Sequence, residues 1–158
     1  MASGRRRYLV DGYNVAHAIR RGPLRPDELE AARTHLVRLL RALVDRKTAV
    51  TVVFDSRLGA PPEKPRGMAG VVEAVYARDA DAAIVEIVRR SGEPGSCIVV
   101  SRDRAVSGRA AQLGARTMKV EELLALAAAR GSSPGEAIPD PHEPPEKYGL
   151  PDGDGRDS

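Results

Sequence analysis

Five short apolar runs alternate with stretches of helical periodicity, and this alternation constrains the fold more than any other feature of the chain. The runs are RYLVD (7–11), AVTVVFD (49–55), VVEAVYA (71–77), SCIVVSRD (96–103) and ARTMKV (115–120). Between them, GYNVAHAIR (12–20) has Asn14, Ala18 and Ile19 at helical spacing. RPDELEAARTHLVRLLRALVDR (25–46) carries an apolar stripe of Leu29, Leu36, Leu39, Leu40 and Leu43, with Asp27 as cap and Glu30 three residues on. DADAAIVEIVRRSG (79–92) starts with acids and ends with Arg89 and Arg90, the charge order a helix dipole favours. RAVSGRAAQLG (104–114) stops at Gly114, and EELLALAAAR (121–130) is a last helix. Strands alternating with helices predict a parallel sheet with helices on both faces. Right-handed crossovers then bring every strand's carboxyl end to one edge, where such sheets bind ligands.

At 158 residues, 42% hydrophobic and 30% charged, the chain reads as one soluble domain. No run approaches the ~18 apolar residues of a membrane span. Arg5, Arg6 and Arg7 are not followed by an apolar segment, which makes a poor signal peptide, so the cytoplasm is the expected location. Cys97 is the only cysteine, which excludes an internal disulfide or a zinc ribbon and reads as a small core residue. The net charge of +3 is no argument for nucleic acid by itself. Residues 131–158, rich in Pro, Gly and acids, are expected to form a tail outside a folded unit of residues 1–130. Aromatics at 3% leave no extended base-stacking platform.

Asp11 ends the first run, Asp55 ends the second, Asp79 and Asp81 follow the third, and Asp103 follows the fourth. Topology sends all of them to the same rim. Asp is also a good helix N-cap, worth about 1 kcal/mol, and Asp103 with one of Asp79 and Asp81 fits that role equally well. Asp11 and Asp55 fit it less well, because each directly closes an apolar strand. Two carboxylates ~4 Å apart repel by about 4 kcal/mol at an effective dielectric near 20. A hard divalent cation, Mg²⁺ or Mn²⁺, relieves that near neutral pH and can activate water at a phosphodiester.

Other residues at the rim read two ways. Asn14 either orients a metal-bound water or phosphate, or caps a helix. Ser101 either hydrogen-bonds a carboxylate or phosphate, or is a strand-end hydroxyl. Arg57, Lys64, Arg66, Arg102 and Arg104 either bind RNA phosphates or are solvated. Tyr13 either stacks on a base or packs on the sheet. Gly12 leaves room for the strand-to-helix turn. His17, His35 and His142 have no partner at metal spacing.

LVDGYNVAHA (9–18), VVFD (52–55), VYARDADAAIVEIV (75–88) and VVSRDRAV (99–106), in that order, resemble the YacP-like branch of the NYN domains, which belong to the PIN-like nucleases. The resemblance covers roughly residues 7 to 127. It implies a three-layer α/β/α fold with a mainly parallel, PIN-like sheet, a divalent-metal acidic site, and endoribonuclease activity in RNA turnover or at the ribosome. Asp11, Asn14, Asp55, Asp81 and Asp103 fall on the family's motif positions, and Arg33 resembles an arginine of its long helix. Where relatives often read Gly-x-Thr-Ala-Asp, this chain has Asp79 in place of the Thr, which adds a possible ligand.

The resulting expectation is a metal-dependent endoribonuclease using Asp11, Asn14, Asp81 and Asp103, with Asp79 and Asp55 as further metal ligands. The competing reading is an RNA-binding module that uses the same rim without catalysis. A phospho-acceptor domain fits less well, since the first strand ends in one acid and not an adjacent pair, although Ser101 and Lys119 superficially match. A phosphatase with an Asp nucleophile would want a second acid two residues after Asp11, where Tyr13 stands.

Overall fold

The computed structural model of the protein describes residues 5–58 and 72–131. The elements are β1 (Arg6–Asp11), α1 (Gly12–Arg20), α2 (Leu29–Leu40), β2 (Thr48–Asp55), β3 (Val72–Ala77), α3 (Ala80–Arg90), β4 (Cys97–Val100), α4 (Arg104–Gln112), β5 (Arg116–Met118) and α5 (Val120–Ala129). The five strands form one parallel sheet in the order β3-β2-β1-β4-β5. The chain builds outward from β1 to β3, then returns to the other side of β1. Strand order therefore reverses between β1 and β4, and this switch point is where an open parallel sheet offers a crevice.

Strand alternation sorts the core into two layers. Tyr8, Val10, Val50, Val52, Phe54, Ile98 and Val100 pack with side chains of α1, α2 and α5. Leu9, Val53, Cys97 and Val99 pack with Ala80, Ile84, Val88, Val106 and Ala110 of α3 and α4. The result is the expected α/β/α sandwich, with Cys97 buried in its core. The same alternation carries Leu9 on to Asp11, Val53 to Asp55, and Val99 to Ser101. Those three polar groups leave the sheet on the α3–α4 side.

The long helix differs from its expected span of 25–46. A 3-10 turn, Pro26–Glu28, precedes α2, and another, Arg41–Leu43, follows it. Glu28 takes the place expected of Asp27 and Glu30: its Oε1 accepts the Arg25 backbone N–H at 2.8 Å. Its buried carboxylate also lies 2.7 Å from Arg20 and 3.2 Å from the Arg25 side chain. Pro26, with no N–H to offer, can occupy the first position of such a turn without loss. Strand β4 is shorter than expected, because side chains take over the backbone N–H groups of Arg102 and Asp103. Gly114, at φ 104°, closes α4 as read from the sequence. Lys64, Arg66 and the tail from 132 onward lie outside the described residues.

Candidate active site

The crevice between β1 and β4 is closed by side chains from both loops. Asp11 is only 9% exposed. Ser101 Oγ donates to Asp11 Oδ2 at 3.1 Å and accepts the Asp103 backbone N–H at 3.0 Å. Asn14 Oδ1 accepts the Arg102 backbone N–H at 2.8 Å. The first turn of α1 is thereby tied to the turn before α4 across 88 positions of sequence.

The capping alternative separates the acids. Asp103 accepts the Ala105 N–H at 2.9 Å and Asp79 accepts the Ala82 N–H at 3.1 Å, so both cap their helices. Asp11 occupies the N-cap position of α1 without a side-chain cap bond, and Asn14 is no cap either. Asp81 sits in the first turn of α3. The two roles are compatible: a capping carboxylate uses one oxygen and keeps lone pairs for another partner.

Electrostatics couples three of these acids. Burial above all, with repulsion from Asp81 and Asp103 added, pushes the Asp11 carboxyl up to about 6 against the opposing Ser101 hydroxyl. Asp81 is raised by burial first and then by the neighbouring Asp103 carboxylate. Asp79 and Asp55 contribute less to it. Asp55 is differently placed. Asp11 is in register with Val53, so Asp55 lies two residues farther along its strand, about 7 Å. There Arg57 grips it with Nε at 3.0 Å and Nη2 at 2.6 Å, and holds its carboxyl below the usual range. The Arg57 guanidinium also lies 4.0 Å from Asp79.

The basic residues of the rim are therefore less free than expected. Arg57 is committed to Asp55, and the Arg102 side chain pairs with Glu121 at 2.6 Å. Arg102 serves the site through its backbone N–H. Arg104 is exposed at the start of α4. Tyr13 corrects the stacking expectation: it is 3% exposed, packed 5.1 Å from the Phe54 ring, and its hydroxyl accepts from Arg33 Nη1 at 2.9 Å. The helix phase that buries Ala16 brings Tyr13, three positions before it, to the same face. Arg33, noted in sequence only by likeness, turns out to stand at this rim. No local pattern marks it, because its partners are 20 and 43 positions away.

The donors available to a cation here are all oxygens, from Asp11, Asp81 and Asp103, with Asp79 adjacent. Among the described residues no three His, Cys, Asp or Glu side chains form a ready-made ligand cage. Such a donor set suits Mg²⁺ or Mn²⁺ held by a few carboxylates with water completing the shell, and does not suit a cation that needs an all-protein cage.

A β3-β2-β1-β4-β5 parallel sheet with clustered aspartates at its switch point is a PIN-like α/β fold. More narrowly, the chain belongs to the YacP-like NYN domain family, whose model matches residues 8–139. Solved structures agree with this fold. One is Rae1 (YacP) from Bacillus subtilis, at TM-score 0.68 and 25% identity, covering 78% of this chain and 74% of that one. Another is a tryptophan-to-leucine variant of the same protein, at TM-score 0.65 and 22% identity, covering 79% and 76%. No curated protein matches the chain.

Proposed function

We propose that this domain is a divalent-metal-dependent endoribonuclease, acting in the cytoplasm on RNA undergoing turnover, including RNA at the ribosome. The observation that carries the reading is an Asp11 raised by burial and by the charges of Asp81 and Asp103, with Asp81 raised by burial and in turn by Asp103, in a crevice built across the switch point. Family membership supports nuclease chemistry, and the absence among the described residues of a helix able to cross a membrane is compatible with the setting.

Asp11, Asp81 and Asp103 would hold Mg²⁺ or Mn²⁺, which when bound supplies an activated water and charge stabilisation at the phosphoryl oxygen. Ser101 fixes the Asp11 carboxylate, and the Asp103 N–H fixes Ser101. Asn14 uses Oδ1 on the Arg102 N–H and retains its amide N–H groups to orient a water or a phosphate oxygen. Asp79 is a peripheral ligand candidate, and Asp55 is a weaker one while Arg57 occupies it.

The alternative is an RNA-binding module that uses the same rim without cleavage. Incubation of labelled RNA with the full chain in Mn²⁺, Mg²⁺ or EDTA separates the readings. Cleavage that needs the metal and disappears in Asp81→Asn and Asp103→Asn supports the nuclease. Tight, salt-sensitive binding in EDTA with intact RNA under every metal condition overturns it in favour of the binding module.

A further inference from the structure

The α1–α2 side of the rim carries a cation that the acidic cluster does not use. Arg33 lies in the second turn of α2 and is half-buried. Its Nη1 donates to Tyr13 Oη at 2.9 Å, and its guanidinium carbon stands 5.8 Å from the centre of the Tyr76 ring. Phe54 packs between these tyrosines, 5.1 Å from one ring and 5.4 Å from the other. Phe54 and Tyr76 sit at strand carboxyl ends, and Tyr13 lies in the first turn of α1 just beyond β1. Tyr13 is two residues past Asp11, and Tyr76 is in register with Phe54, which precedes Asp55. The aromatic cradle is thus part of the rim that presents the acids.

Arg57 and Arg102 at this rim each hold a carboxylate. Among the described residues no carboxylate lies within ion-pair distance of Arg33. Burial keeps the Tyr76 phenol above its ordinary pKa, so the ring beneath the guanidinium stays neutral. A half-buried guanidinium pays a desolvation cost that two neutral rings offset only in part. The hydroxyl takes one of its five N–H donors and fixes the plane of the fork, leaving a preorganised site for a planar or tetrahedral oxyanion.

We propose that Arg33, held by Tyr13 and Tyr76, binds a backbone phosphate of the RNA strand lying across the acidic rim. The identity of the anion rests on the nuclease reading. The geometry makes Arg33 a substrate-binding residue, separate from the acids that hold the metal.

The test measures binding of a fluorescein-labelled single-stranded RNA to the full chain in EDTA, over a salt series, so that it does not depend on cleavage. Arg33→Gln is expected to weaken binding about 10-fold at low salt and to flatten the log–log salt slope by about 0.7, the loss of one phosphate contact. Arg33→Lys keeps the slope and loses part of the affinity, since a point charge replaces the fork. Tyr13→Phe also keeps the slope, and weakens binding a few-fold by releasing the guanidinium. Unchanged affinity and slope in Arg33→Gln overturn the proposal. If that variant does not fold by circular dichroism, wild-type affinity in both Arg33→Lys and Tyr13→Phe overturns it. Wild-type protein that binds RNA through Arg33 but never cuts it sinks the nuclease reading alone.

Discussion

Ser101 and Asp11 are 90 positions apart in sequence and are joined by a 3.1 Å hydrogen bond that ends two adjacent strands in one polar contact. The hydroxyl works in both directions: it donates to Asp11 and accepts from the Asp103 backbone. Asp11 and Asp103 are therefore positioned through one atom, and disturbing Ser101 disturbs both.

Ser101→Ala follows directly. The hydroxyl lowers the Asp11 pKa, so its removal sends that carboxyl above about 6. It also leaves the Asp103 N–H without its acceptor, for a stability loss of about 1–3 kcal/mol. Carboxyl-resonance NMR should show the Asp11 titration moving to higher pH, with a lower urea midpoint. An unmoved Asp11 titration would mean that the hydrogen bond is not formed in solution.

Asp11→Asn should stabilise the metal-free fold, and only above a certain pH. A carboxyl pushed up to about 6 binds protons more tightly folded than unfolded. Wild-type stability therefore falls as pH rises from the unfolded value near 4 toward 6, and stays low above. The elevation corresponds to about 3 kcal/mol. In EDTA, Asp11→Asn should gain about 1–3 kcal/mol over wild type at pH 8 and little at pH 4, while losing nuclease activity. Denaturant melts at both values check this. A variant with the same stability difference at pH 4 and pH 8 would contradict the burial of a strained carboxylate at this position.

Arg57→Ala reports on the opposite case. Asp55 is held below its ordinary pKa, first by the Arg57 side chain. A depressed carboxyl stabilises the fold above the unfolded pKa, and that contribution is lost as pH falls through the folded value. The variant should melt below wild type at pH 7, and the gap should close in strong acid. It should also leave Asp55 and Asp79 without their shared cation, so metal-free protein should bind Mn²⁺ several-fold more tightly by calorimetry. Weaker Mn²⁺ binding in the variant would place Arg57 in support of the metal site instead of in competition with it.

The sheet, its edge and the acids were legible because strand alternation and crossover handedness act locally or through general rules. Asp11 closing RYLVD leads to the rim whatever the rest of the chain does. The partners were not legible. Nothing near Asn14 announces that it accepts the Arg102 N–H, and nothing near Arg57 distinguishes a grip on Asp55 from a phosphate contact. Tyr13 was readable as either a stacking or a packing residue, and Phe54 decides for packing by occupying the adjoining space. Glu28 escaped notice because a buried carboxylate depends on two arginines, one of them arriving from α1.

Gly12→Ala tests the join between β1 and α1. Gly12 has no positive φ, so backbone freedom does not explain it. Space does: a Cβ there would lie 2.5 Å from two ring carbons of Phe54 and 3.0 Å from a methyl of Val52. Phe54 is itself confined between Tyr13 and Tyr76 and cannot swing away freely. Alanine should cost about 1–3 kcal/mol through overpacking, and the strain should reach Asp11 one residue before it. Combining Gly12→Ala with Phe54→Leu should cost less than the two substitutions separately, because the smaller side chain vacates the volume the new methyl needs. Urea melts of the four proteins of this cycle measure the coupling. Strict additivity would show that the ring and the glycine do not share that space.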